Sequence, residues 1–153
     1  MASVFQRELE VAEQAARAAG ALILDRLGAT GPVQFKSSVI DPVTAADRDS
    51  QALIAERLLS AFPGDRLLGE EGDARATAAG PGRLWIVDPI DGTVNFLHGY
   101  PVFAVSIALH CDGAVQAGVL YDPTRDEMFS ATRGGGATLN GRPLALSGTS
   151  ELI

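Results

Sequence analysis

A chain of 153 residues, 46% apolar and 20% charged, is long enough for one domain with a real core and too apolar for a disordered segment. Its formal net charge of −7 argues against nucleic acid or an anionic membrane as partner, since both ask for basic patches, while an anionic substrate stays open because a metal can reverse the local field. A single cysteine, Cys111, excludes an intrachain disulfide and a cysteine-built zinc cluster, and with no signal-like N-terminus and no apolar run near the ~20 residues of a membrane span, the expected location is the cytoplasm.

From about Ser3 to Leu27 the chain reads as one long helix. Phe5, Leu9, Ala12, Ala16, Ala19, Ile23 and Leu27 recur at the three-four spacing of one apolar face, and Gly28, Gly31 and Pro32 end it. Its many alanines predict close packing against another layer. Val33 to Lys36 is a short strand candidate. Lys36 is the only lysine in a chain that otherwise uses Arg, which is either compositional drift or a placed cation. Ser37 to Pro42 is polar and turn-rich.

A second helix opens at Thr44-Ala45-Ala46-Asp47 with a capping-box pattern, Thr44 as N-cap and Asp47 three positions on. It continues through Ile54 and Leu58 to Phe62, where Pro63 and Gly64 stop it. Asp47 shares a stripe with Ile54 and Leu58. A carboxylate on a buried stripe must be paired or ligated, so its position weighs towards a functional role over a plain cap. Arg66 to Gly69 is a short strand running into Glu70-Glu71-Gly72. That acid pair is either a solvated turn or holds an inward-turned metal ligand, and spacing does not choose. Asp73 to Gly82 is expected to be an exposed loop.

The stretch Trp85-Ile86-Val87-Asp88-Pro89-Ile90-Asp91-Gly92-Thr93 organises the rest. Leu84 to Val87 is apolar and suits a short buried strand, Pro89 is expected to end its paired ladder, and Asp91-Gly92-Thr93 reads as a turn into a helix start. Two carboxylates three apart at a strand end, beside a glycine, meet two needs at once. Mg²⁺ takes one or two carboxylates plus substrate phosphate, and phosphate takes the N–H groups of a turn or helix N-terminus. The plainer reading is strand, turn and cap alone. Val94 to Pro101 is expected to be irregular. Phe103 to His110, Ala114 to Tyr121, Glu127 to Ala131 and Ala137 to Leu139 follow as strands between hairpin signals, an antiparallel meander. Helices first and antiparallel strands after is an α+β layout. His98 and His110 stand alone and read as surface or satisfied histidines. Neither an internal repeat nor a linker divides residues 1–153.

Taken in order, Lys36, Asp41-x-Val43-Thr44-x-x-Asp47, Gly69-Glu70-Glu71, Trp85 to Thr93 with Asn95-Phe96, and Pro101-x-x-Ala104-Val105-Ser106-Ile107 closely resemble the inositol monophosphatase family of Mg²⁺-dependent, lithium-sensitive phosphatases. The resemblance covers nearly the whole chain. It implies an α+β fold with two N-terminal helices packed on an antiparallel sheet, the first half of the layered αβαβα sugar-phosphatase fold. It also implies a small phosphate monoester as substrate and, from the family's habit, a homodimer.

Carried over by position, the resemblance implies that Glu70, Asp88 and the Ile90 carbonyl hold a first Mg²⁺. Asp88 would bridge to a second metal that Asp91 also holds. Gly92 and Thr93 would give backbone N–H groups to the phosphate, with Asp91 beside them on the substrate side. Thr93 and Asp47 would orient and deprotonate the attacking water. Lys36 would contribute charge near the site, joining Asp47, Glu70 and Thr93 as residues that serve catalysis, and Glu71 would stand behind the ligands or bind weakly. Phosphate monoesters hydrolyse so slowly unaided that heavy charge stabilisation is needed, which a metal pair supplies.

The family's chains are longer. They carry a second half with a Trp-Asp-x-Ala-Ala-Gly-like motif that this sequence lacks. The expectation is therefore an incomplete, N-terminal part, with the first metal site complete, the second one ligand short, and the substrate-selecting wall absent. The leading reading is hydrolysis of inositol monophosphate or a similar sugar or polyol phosphate. Fructose 1,6-bisphosphate, 3′-phosphoadenosine 5′-phosphate or histidinol phosphate are rivals within the fold. A non-catalytic metal-binding or association module is the rival of another class.

Overall fold

A computed structural model describes residues 4–27, 34–35, 42–43, 45–70 and 82–150. Helix α1 spans Gln6–Arg26 and buries Leu9, Ala12, Ala15, Ala16, Ala19 and Ile23, the face its periodicity predicts. The small residues let it lie close to the sheet. A Cβ on Gly20 would stand 2.5 Å from a ring carbon of Tyr121, so glycine is needed where the helix crosses that strand. Strands β1 (Gln34–Phe35) and β2 (Pro42–Val43) form a separate antiparallel pair. Helix α2, Ala45–Ala61, buries Ala46, Asp47, Ser50, Ile54 and Leu58. Thr44, the expected cap, lies outside the described residues.

The main sheet holds β3 (Arg66–Gly69), β4 (Leu84–Asp91), β5 (Ala104–Cys111), β6 (Ala114–Asp122), β7 (Glu127–Thr132), β8 (Gly136–Leu139) and β9 (Arg142–Pro143), in chain order. From β4 onwards each pair is antiparallel, the expected meander with β9 added. β3 instead runs parallel to β4. Residues 70–83 between them reach the length of about a dozen residues that a parallel crossover requires. The expected loop at 73–81 lies outside the described residues.

Two local expectations need correction. Pro89 does not end β4. The strand continues to Asp91, and the register shifts between Asp88, paired with Ser106, and Asp91, paired with Ala104. Two residues thus oppose one, a β-bulge that absorbs the ladder bond Pro89 lacks. The segment after Gly92 is not wholly irregular either: Thr93–Leu97 forms a one-turn helix, α3.

Both long helices lie on one face of the sheet, over Leu67, Trp85, Val87, Val105, Ile107, Leu109, Ala117, Val119, Tyr121 and Met128. On the other face Ile86, Ala108, Gly118 and Ala131 make one cross-strand row, and Asp88, Ser106, Leu120 and Phe129 the next. Ile86 and Leu120 are 38% and 41% exposed there, so this face is apolar but only partly covered by the described residues. No helix among those residues is long and apolar enough to cross a membrane.

A polar clamp closes the end of the sheet opposite the carboxylates. Arg83 Nε donates to both oxygens of Asp65 at 2.9 and 3.0 Å, and its Nη1 pairs with Glu8 of α1 at 2.8 Å. Trp85 Nε1 donates to Asp65 at 2.8 Å, and the Arg83 guanidinium lies 5.2 Å from the Phe62 ring centre. The carboxylates of Glu8 and Asp65 are nearly buried, so Arg83→Met leaves two of them short of a cation. The expected loss is about 2 kcal/mol, below a fully buried pair because Arg83 keeps some solvent, and Tm falls by about 4–8 °C in thermal denaturation. An unchanged Tm would show that solvent already does the work of the clamp.

Candidate metal and phosphate site

The parallel pairing of β3 and β4 puts their C-terminal ends side by side. Gly69 is in register with Val87, so the next residues along, Glu70 and Asp88, meet at the edge of the site. The bulge then decides what joins them. In an unbroken strand residues three apart point to opposite faces. The extra residue restores the parity, so Asp88 and Asp91 pair with Ser106 and Ala104, which share a face. Glu70, Asp88 and Asp91 are thereby drawn into one electrostatic neighbourhood.

The Asp88 carboxyl is the group under stress. Burial, the charge of Glu70, a hydrogen bond with Glu70 and the charge of Asp91 push it up from its ordinary value to about 7, against the lowering effect of the Ile90 N–H bond. Its Oδ1 is buried and has no hydrogen-bond partner. A buried carboxylate oxygen left bare beside two more acids wants a cation. A hollow of ≈ 220 Å³ adjoins it, lined by Leu68, Gly69, Glu70, Ile86, Val87 and Asp88. These all-oxygen donors fit a hard divalent ion such as Mg²⁺. Among the described residues, however, no group of three or more His, Cys, Asp and Glu is gathered closely enough to hold a metal by itself. The set is partial, and Lys36 and Glu71 lie outside the described residues.

Asp47 approaches from the other layer. It sits in the first turn of α2, only 1% exposed. Thr93 Oγ1 lies 3.4 Å from Asp47 Oδ1 and 2.9 Å from the Ile90 carbonyl. A hydroxyl has one proton, so it donates to one of these at a time. The Ile90 oxygen keeps a second lone pair for a further ligand. Gly92, at φ 99°, turns the chain from β4 into α3 in the left-handed region, and the N–H of Thr93 opens that helix. His98 is exposed and His110 half-buried, and no function is assigned to either.

Sequence reasoning passed over two neighbours on α2. Ser50 is fully buried, and its Oγ reaches the Pro89 carbonyl at 3.5 Å, beside the bulge. Gln51 lies over Gly69, where any Cβ would collide with its side chain. The signal for Ser50 was its spacing: it falls one turn after Asp47 on the buried stripe.

Residues 5–152 match the model of the inositol monophosphatase family. The chain belongs to that family. It is 43% identical to a histidinol-phosphatase of Chlorobaculum parvum over 144 residues, covering 94% of this chain and 55% of that protein. It is 41% identical to an inositol-1-monophosphatase of Synechocystis over 150 residues, covering 98% of this chain and 52% of that one. The solved structure of a Thermotoga maritima IMPase superimposes with a TM-score of 0.88 at 35% identity, covering 95% of this chain and 56% of the other. The chain thus spans about half the length of the relatives it matches.

Proposed function

We propose that this chain supplies the metal- and phosphate-handling part of a Mg²⁺-dependent phosphomonoesterase acting on inositol monophosphate or a similar sugar or polyol phosphate. The observation that carries the reading is the bare, buried Oδ1 of Asp88, under the charges of Glu70 and Asp91, with Thr93 and Asp47 meeting at the Ile90 carbonyl just past the bulge. Glu70, Asp88 and the Ile90 carbonyl would hold a first ion, and Asp91 would contribute with Asp88 to a second; such ions when bound acidify water and neutralise phosphoryl charge.

The remaining steps belong to the chain's own groups. The Gly92–Thr93 backbone N–H groups hold the phosphoryl oxygens. Thr93 Oγ1 accepts a hydrogen bond from the attacking water while its own proton swings from the Ile90 carbonyl towards Asp47. Asp47 then takes the water's proton through Thr93 as the new P–O bond forms. The ester P–O bond breaks on the far side, and the alcohol leaves with a proton from solvent. Lys36 adds positive charge in this reading. The same reading locates the activity in the cytoplasm and carries the family's dimeric habit with it.

A second substrate, histidinol phosphate, is favoured by the 43% identity to a histidinol-phosphatase. One assay separates the readings. Phosphate release from inositol 1-phosphate, histidinol phosphate, fructose 1,6-bisphosphate and 3′-phosphoadenosine 5′-phosphate is measured with Mg²⁺ and with EDTA. The expected result is Mg²⁺-dependent release, fastest from inositol 1-phosphate. Release that ignores EDTA would end the metal reading, and Mg²⁺ binding without release from any substrate would favour a non-catalytic module.

A further inference from the structure

The segment after α3 curls back on the turn that precedes it. Tyr100 N–H bonds to the Asn95 carbonyl at 2.8 Å, and Val102 N–H to the Tyr100 carbonyl at 2.8 Å. The returning Val102 carbonyl comes to rest against Gly92: a Cβ built there would stand 3.0 Å from that oxygen and 3.3 Å from Phe103 Cα. That same carbonyl accepts the side-chain amide of Asn95, Nδ2 to O at 2.8 Å. Phe96 and Phe103 meet edge to face beneath, their ring centres 5.6 Å apart. Thr124 Oγ1 also stands 3.2 Å from the Pro101 carbonyl, but its one proton has a closer acceptor in Asp122, at 2.6 Å. Asn95 is therefore the firmer tie on this segment.

We propose that Asn95 is a positioning residue for the Gly92–Thr93 turn. By holding the Val102 carbonyl it keeps residues 98–103 as a backstop against Gly92, so the left-handed turn cannot relax and its N–H groups stay aimed. The α3 helix has only five residues, and within it the turn is held by the Phe96 N–H···Gly92 O bond of 3.0 Å and the Thr93 hydroxyl 2.9 Å from the Ile90 carbonyl, local ties that a single helical turn does not make rigid without packing from outside. Asn95 needs no contact with substrate for this role. The consequence for phosphate rests on the function proposed above; the consequence for the turn does not.

The test uses the 153-residue chain with Asn95→Leu, which keeps the bulk and removes the donor, and Asn95→Ser, whose hydroxyl is too short to reach. Hydrogen exchange at the Phe96 amide should speed up about tenfold in both, while the β5 and β6 amides of Ile107 and Val119 keep their protection. Calorimetry with Mg²⁺ and then with inorganic phosphate in the presence of Mg²⁺ should show phosphate affinity falling about tenfold and Mg²⁺ affinity unchanged. Wild-type exchange at Phe96 in both variants would overturn the proposal. So would a uniform rise in exchange across Phe96, Ile107 and Val119, or equal losses of Mg²⁺ and phosphate affinity. Faster exchange confined to Phe96, in a wild-type chain that binds no phosphate, would uphold Asn95 as the strut and sink the phosphate reading of the turn instead.

Discussion

Asp88→Asn is expected to lower Mg²⁺-dependent phosphate release by roughly 10³-fold, the scale set by losing several kcal/mol of charge stabilisation. The same substitution should stabilise the metal-free chain at neutral pH and above. Asp88 titrates near 7 in the folded chain against an ordinary value of 3.8. Between those values the folded state keeps a proton that the unfolded state has released, so stability falls as pH rises from about 4 through about 7. Above pH 7 the penalty is present in full; below pH 4 it is absent. Asparagine carries no charge and escapes it. With EDTA, urea denaturation at pH 8 should find the variant more stable than the wild type by about 1–2 kcal/mol, after discounting for partial exposure, and the gap should close towards pH 4. Mg²⁺ reverses the order, because it binds the folded wild type and has lost its anchor in the variant. A gap that ignores both pH and Mg²⁺ would remove Asp88 from the site.

Thr93→Ala is expected to cost about 10²-fold in turnover while Mg²⁺ affinity stays within about twofold. The reason is geometric. Thr93 is placed between the Ile90 carbonyl and Asp47, and in the proposed mechanism it would pass a proton without holding charge. Removing its hydroxyl breaks the link from water to Asp47 and leaves the carboxylates where they are. Thr93→Ser keeps the hydroxyl and should retain most of the rate. Parallel losses of turnover and Mg²⁺ affinity in Thr93→Ala, or a Thr93→Ser variant as poor as Thr93→Ala, would place the hydroxyl outside the proton path.

Some of this could be seen before any coordinates, and the particular residues show why. The face of α1 was legible from Leu9 to Ile23 because a helix has one period and small residues leave little doubt about packing. The meander was legible because Asp112-Gly113, Asp122-Pro123 and Gly134-Gly135 punctuate strands whose inward residues alternate. The buried position of Asp47 was legible from the stripe it shares with Ile54 and Leu58, and it is 1% exposed. Pro89 misled. A proline normally marks a strand's end, yet a bulge gave its missing N–H a place and let β4 run on to Asp91.

Local pattern could therefore establish the two long helices and the strands of the meander, which faces turn inward and which acids and glycines are available for chemistry, because those depend on period, turn residues and side-chain type. Folding alone settled that β3 lies parallel to β4 and so sets Glu70 against Asp88, that one bulged residue turns Asp88 and Asp91 to the same side, and that Val102 returns to press on Gly92. Each of these is a relation between distant residues, fixed by register and close approach across layers, and neither quantity is encoded in any one stretch of chain.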